Sequence, residues 1–140
     1  MNMKKLLIPL ALLMFSVTAF SGLTRSVPVT IDLVNGNASG DMITARNSDN
    51  DFEFIGCGLR AFEDGVGGVF YFGFCQAQLE EGAPVNCFTQ NVDLLEGINL
   101  ISDSSFITFS WNDDGNGGLT CWRIGSSTQS FYLSKQKTGK

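Results

Sequence analysis

Four residue types decide which reactions this chain can support, and the first of them is missing. The 140 residues include no histidine. That removes Ser-His-Asp and Cys-His nucleophile pairs, and every zinc site built on imidazole. Cysteines stand at 57, 75, 87 and 121, and no two are close enough for the C-x-x-C type of pair that structural zinc favours. Paired carboxylates could still carry out a glycosidase-like hydrolysis. Glu53, Glu63, Glu80 and Glu96 are the candidates. Glu63-Asp64 and Glu80-Glu81 fall in expected turns, however, where solvated charge is the ordinary reading.

The stretch NDDGNG (112–117) raises a metal question. Asn112-x-Asp114-x-Asn116-Gly117 matches the first half of an EF-hand-type loop. The twelfth position of that loop would be Arg123, where calcium takes a bidentate glutamate. Period-2 alternation on both flanks argues for strands, and Asn and Gly supply the positive φ of a tight hairpin. The stretch is therefore read as a chain reversal. Asn112, Asp114 and Asn116 are its calcium candidates, and no cofactor is implied.

Trp111 and Trp122 flank the same turn. Together with Asp113, Asp114 and Asn116 they make the candidate ligand surface. Aromatic rings beside polar acceptors can stack on a sugar or anchor a protein partner. The competing expectation is that both tryptophans are core, since a small domain needs large side chains for burial.

The first residues point to export. Lys4 and Lys5 precede an uncharged apolar run, Leu6–Phe20, and small residues follow it. This is the tripartite pattern of a secretory signal peptide, assigned here to residues 1–21. The run is shorter than the ~20 residues of a membrane helix, so no membrane anchor is expected once the signal is removed. The basic start looks bacterial, which suggests a periplasmic or secreted protein. Removing Lys4 and Lys5 leaves seven basic residues against 14 acidic ones, a net charge of −7. Such a field repels a phosphate backbone and disfavours nucleic acid as a partner.

In an oxidising compartment four cysteines are expected to form two disulfides. If Gly65-Val66-Gly67 is a hairpin loop, facing positions sum to 132 and Cys57 lies opposite Cys75. Elimination then pairs Cys87 with Cys121. The rival pairing, Cys75–Cys87 with Cys57–Cys121, stays open, because Cys75 and Cys87 also flank a turn.

These residues need elements to position them. VPVTIDL (27–33) alternates as a half-buried strand, with Pro28 suited to an edge. Asn35-Gly36 signals a turn, and MITAR (42–46) reads as the return strand. Phe52–Phe62 and Val69–Leu79 flank the glycine-rich EDGVGG. Both show apolar residues on two faces, so both are placed centrally, with bulges at Gly56 and Gly73. Leu94, Leu95, Ile98 and Ile101 form one stripe of a short helix over 91–101, capped by Asn91 or Thr89. Phe106–Asn112 and Leu119–Ile124 form a second hairpin, and QSFYL (129–133) closes the domain. Twelve phenylalanines suggest an aromatic core. No internal repeat or linker stands out.

The fold class expected is mainly β: an antiparallel sheet or small β-sandwich of about seven strands, with one short amphipathic helix and two disulfides. One domain spans residues 22–134, followed by a flexible basic tail at 135–140. The function expected is binding or structural assembly rather than catalysis, with a protein or glycan partner. A carbohydrate-binding module using the 111–122 hairpin, with or without calcium, is the alternative. A secreted enzyme inhibitor and a carboxylate-based hydrolase are further ones.

Overall fold

Seven strands and two helices are present in the computed structural model, which describes residues 22–133. The signal peptide expected at 1–21 and the basic tail expected at 135–140 lie outside the described residues. The strands are β1 (Thr30–Asp32), β2 (Asn37–Asp41), β3 (Phe54–Glu63), β4 (Val69–Gln78), β5 (Val85–Thr89), β6 (Phe106–Asp113) and β7 (Leu119–Ser127). They form one sheet in the order β1-β2-β6-β7-β5-β4-β3. All neighbours are antiparallel except β5 and β7, which run parallel and share a single paired position, Phe88 with Thr120. The sheet is therefore mixed, and it is single rather than a sandwich.

The seven expected strands and the seven observed ones are not the same seven. MITAR is a helix, α1 (Met42–Arg46), and the return strand is the preceding NASGD. The cause is Asp41, whose Oδ1 accepts from the Thr44 amide at 2.8 Å and caps the helix. Its other oxygen accepts from the Val27 amide at 2.8 Å, which ties the entering chain to the same carboxylate. QSFYL ends not as a strand but as a 3₁₀ turn (Ser130–Tyr132), with Tyr132 buried and stacked on Phe106 at 5.7 Å. The strand that replaces it in the count is β5, five residues lying just before a helix cap.

The second helix, α2 (Val92–Asn99), forms where the apolar stripe predicts it. Asn91 caps it, accepting from the amides of Asp93 (3.0 Å) and Leu94 (3.2 Å). Ile98 is its buried residue. The helix seats on Gly73 of β4, where any Cβ would strike Ile98 Cδ1 and Leu95 Cδ2. Gly73 thus marks a close approach rather than a bulge. The β3–β4 register is unbroken through both Gly56 and Gly73.

β3 is the terminal strand of the sheet, not a central one. The sheet nevertheless curls enough for α1 and β2, near the other end of the order, to contact β3. Inside that curl lie Val29, Ala38, Ile55, Ala77, Ile107, Phe109 and Trp111, with the half-cystines Cys75, Cys87 and Cys121. Cys57 faces Cys75 directly, Cα atoms 4.0 Å apart, and the two are bonded. Cys87 on β5 is bonded to Cys121 on β7. That second bond joins the two halves of the sheet where their ladder is shortest. Two disulfides fit an oxidising compartment, and among the described residues no helix is long and apolar enough to cross a membrane.

Candidate functional site

The site is a face of the sheet, and alternation along the strands makes it. On β4, Gly73, Cys75 and Ala77 point into the core, so Phe70, Phe72 and Phe74 must point out. The register places Arg60 and Phe62 of β3 beside them, and Phe88 of β5 opposite Phe74. Small residues fill the inside here because α2 and the disulfides already occupy it. The aromatic core expected from composition is thus turned outward. Among the ten described phenylalanines only Phe109 is fully buried.

The outward rings touch in sequence. Phe62 lies 5.5 Å from both Phe70 and Phe72, near-parallel to each, and Phe72 meets Phe88 edge-on at 5.9 Å. Phe62, Phe70 and Phe88 are each close to half exposed, at 46%, 46% and 45%. Phe74 lies over Gly58, which has no side chain to obstruct it. The Arg60 guanidinium sits 4.9 Å from the Phe74 ring centroid, within cation–π range. A cavity of about 430 Å³ opens beside the run, lined by Phe72, Phe88, Thr89, Gln90 and Thr120.

Trp122 joins this face through an irregularity in β7. Ser110 pairs with Arg123, yet Trp111 pairs with Cys121, so Trp122 is one residue extra. Such a bulge lets Trp122 and Arg123 both face outward opposite Ser110. Trp122 is 54% exposed, whereas Trp111 is buried and packs on Phe109 at 5.6 Å. The two tryptophans therefore lie on opposite faces and do not form one stacking platform.

Both hairpin tips are built alike, although no internal repeat stands out on a first reading. In Asp64-Gly-Val-Gly-Gly, Oδ1 of Asp64 accepts from the amides of Val66 and Gly68, each at 2.9 Å. In Asp114-Gly-Asn-Gly-Gly, Oδ1 of Asp114 accepts from Asn116 (2.7 Å) and Gly118 (2.9 Å). Gly65, Gly67, Gly115 and Gly117 all take positive φ. The amide of Val66, then that of Gly68, holds the Asp64 carboxyl below its ordinary pKa, and Asn116 and Gly118 do the same for Asp114. Asp113 accepts from the Gly115 amide at 2.6 Å, and Asn116 Nδ2 lies 3.4 Å from the Asp114 carbonyl. Asn112 pairs with Thr120 as an ordinary strand residue. Oδ1 of Asp114 is thus already shared by two backbone donors.

The carboxylate candidates are dispersed. Glu53 is structural: Oε1 accepts from the Val29 amide at 2.8 Å and Oε2 from the Ser48 hydroxyl. Glu53, Glu80 and Glu96 line three different clefts, and Glu63 is exposed at the end of β3. Among the described residues no group of three His, Cys, Asp or Glu is arranged to hold a metal. No protein-family model, no characterised protein and no solved structure matches this chain. The sequence does carry a signal for the aromatic face, the period-2 phenylalanines of FYFGF, but not for which way they turn.

Proposed function

We propose that this chain is an exported, disulfide-stapled binding or assembly domain that docks a protein partner on its outer aromatic face. One observation carries this reading: Phe70, Phe62, Phe72 and Phe88 touch in sequence, and Phe70, Phe62 and Phe88 stay open to solvent while Phe72 is half-buried between them. The sister hairpin β6–β7 has the same turn but places Asn112 and Thr120 where β3–β4 has Phe62 and Phe70. The turn itself therefore does not depend on those rings. Contiguous exposed apolar surface of this kind marks interaction sites. Phe, Trp and Arg in place of Asp, Glu and Lys is also the composition of interface cores. Export rests on the pattern of residues 1–21, and the two disulfides support it.

The test is a photo-cross-linking residue at Phe70 or Phe88 in the chain expressed with its leader. Adducts should form there and not from Glu96 on α2 or Asn116 at the β6–β7 tip. Equal yields from all four positions, or none from any, would exclude the reading. A glycan partner is favoured by one observation, exposed Trp122 near the cavity that Thr120 and Gln90 supply with polar groups. Glycan-array binding with and without EDTA, lost on Trp122→Ala, would support that alternative.

A further inference from the structure

The outer face differs from the rest of the molecule in charge. The chain has 14 acidic residues. The outward positions of β3 and β4 are Phe54, Gly56, Gly58, Arg60, Phe62, Phe70, Phe72, Phe74, Gln76 and Gln78. Those of β5 and β7 add Asn86, Phe88, Thr120, Trp122, Arg123, Gly125 and Ser127. None is an aspartate or glutamate. Two of the four described arginines lie here, and the carboxylates lie elsewhere: at the ends of β1, β3 and β6 (Asp32, Glu63 and Asp113), in turns, on α2, or beneath the N-terminal segment.

We infer that the partner on this face is a second copy of the same chain, packed face to face about a twofold axis. This rests on the reading of the outer face as a docking surface and names its occupant. Two copies of an acidic protein repel wherever carboxylates meet. The outer face is where they can meet without that repulsion. Its arginines can each lie against the partner's rings, as Arg60 already lies against Phe74.

The area is sufficient for a modest dimer. A covered aromatic side chain buries about 150–250 Å². At their observed exposures Phe62, Phe70, Phe88 and Trp122 each have roughly 100 Å² left to cover. With Phe72 and Arg60 added, two copies would bury on the order of 1,000 Å², the lower bound for a specific interface. A twofold contact uses the same patch on both copies and closes, so it yields dimers rather than filaments.

Analytical ultracentrifugation of the mature chain decides the matter. The expected result is a dimer from micromolar concentrations upward that dissociates on dilution. Phe62→Ser with Phe88→Ser should weaken it by more than about tenfold, with near-UV circular dichroism unchanged. Trp122→Ser, on a different strand, should weaken it too, and Tyr71→Ser, on the other side of β4, should not. A strictly monomeric wild type overturns the inference, as does a dimer indifferent to these substitutions or an open series of larger species. A monomer whose Phe70 and Phe88 still cross-link to another protein would sink the second copy as occupant and leave the docking surface standing. A monomer without such adducts would sink both.

Discussion

Asp64 and Asp114 perform the same task fifty residues apart: each carboxylate accepts from the backbone amides two and four residues further along its own turn. Both are held below the ordinary carboxylate pKa by those donors. A folded pKa below the unfolded one means that the contribution is complete above the unfolded value. It is then lost as pH falls through the folded value. NMR titration should place both carboxyl midpoints below that of an unstructured aspartate, near 3.8. Asp64→Asn and Asp114→Asn should keep an acceptor and remove this part of the acid sensitivity. Midpoints at the ordinary value would contradict the turn geometry.

The two tryptophans should separate in both stability and fluorescence. Trp111→Ala empties a core position and should cost about 3–5 kcal/mol. Trp122→Ala removes an exposed ring and should change monomer stability by no more than about 0.5 kcal/mol. Acrylamide should quench Trp122 readily and Trp111 poorly, read from single-tryptophan variants with phenylalanine at the other site. Equal quenching would show that β7 carries no bulge.

Two glycines test the backbone. Gly36 has φ +62, and a Cβ there would lie 2.5 Å from the Trp111 carbonyl oxygen. Gly36→Ala should therefore destabilise by about 1–3 kcal/mol in urea unfolding. Gly56 has open space around its Cβ direction and an ordinary φ. Gly56→Ala should be neutral or stabilising, by at most about 1 kcal/mol. A large loss there would restore the bulge that the unbroken register removes.

Cys87–Cys121 closes a separation of 34 residues, for which chain entropy predicts roughly 3–4 kcal/mol. It also spans the one junction where the ladder is a single pair. Replacing both cysteines by serine should lower stability by at least that amount. Exchange of β5 and β7 amides should quicken before that of β3 and β4. Uniform exchange across all four strands would contradict the division of the sheet at β5–β7.

How far the sequence reveals this arrangement varies by element, for physical reasons. The β3–β4 register, and with it Cys57–Cys75, follows from one turn and a period of two. The α2 helix follows from its cap and stripe, because both signals are local. Asp41 misleads, since NASGD has almost no β-formers and becomes a strand only by packing Ala38 inside and pairing with β6. MITAR reads as the return strand after Asn35-Gly36, yet the cap in front of it wins. β5 is too short to stand out beside the Asn91 cap. The outward turn of Phe70 and Phe72 depends on what fills the other side of β4, namely α2 above Gly73 and the sulfurs of Cys75 and Cys87. That is a long-range fact, which no local period encodes.

Oxidative footprinting distinguishes outer phenylalanines that serve a partner from ones that serve the fold. Phe62, Phe70, Phe88 and Trp122 should be labelled freely in the purified, diluted chain. They should be protected in the concentrated chain, while labelling of Tyr71 stays the same. Equal labelling of the four rings under both conditions would mean that nothing docks there.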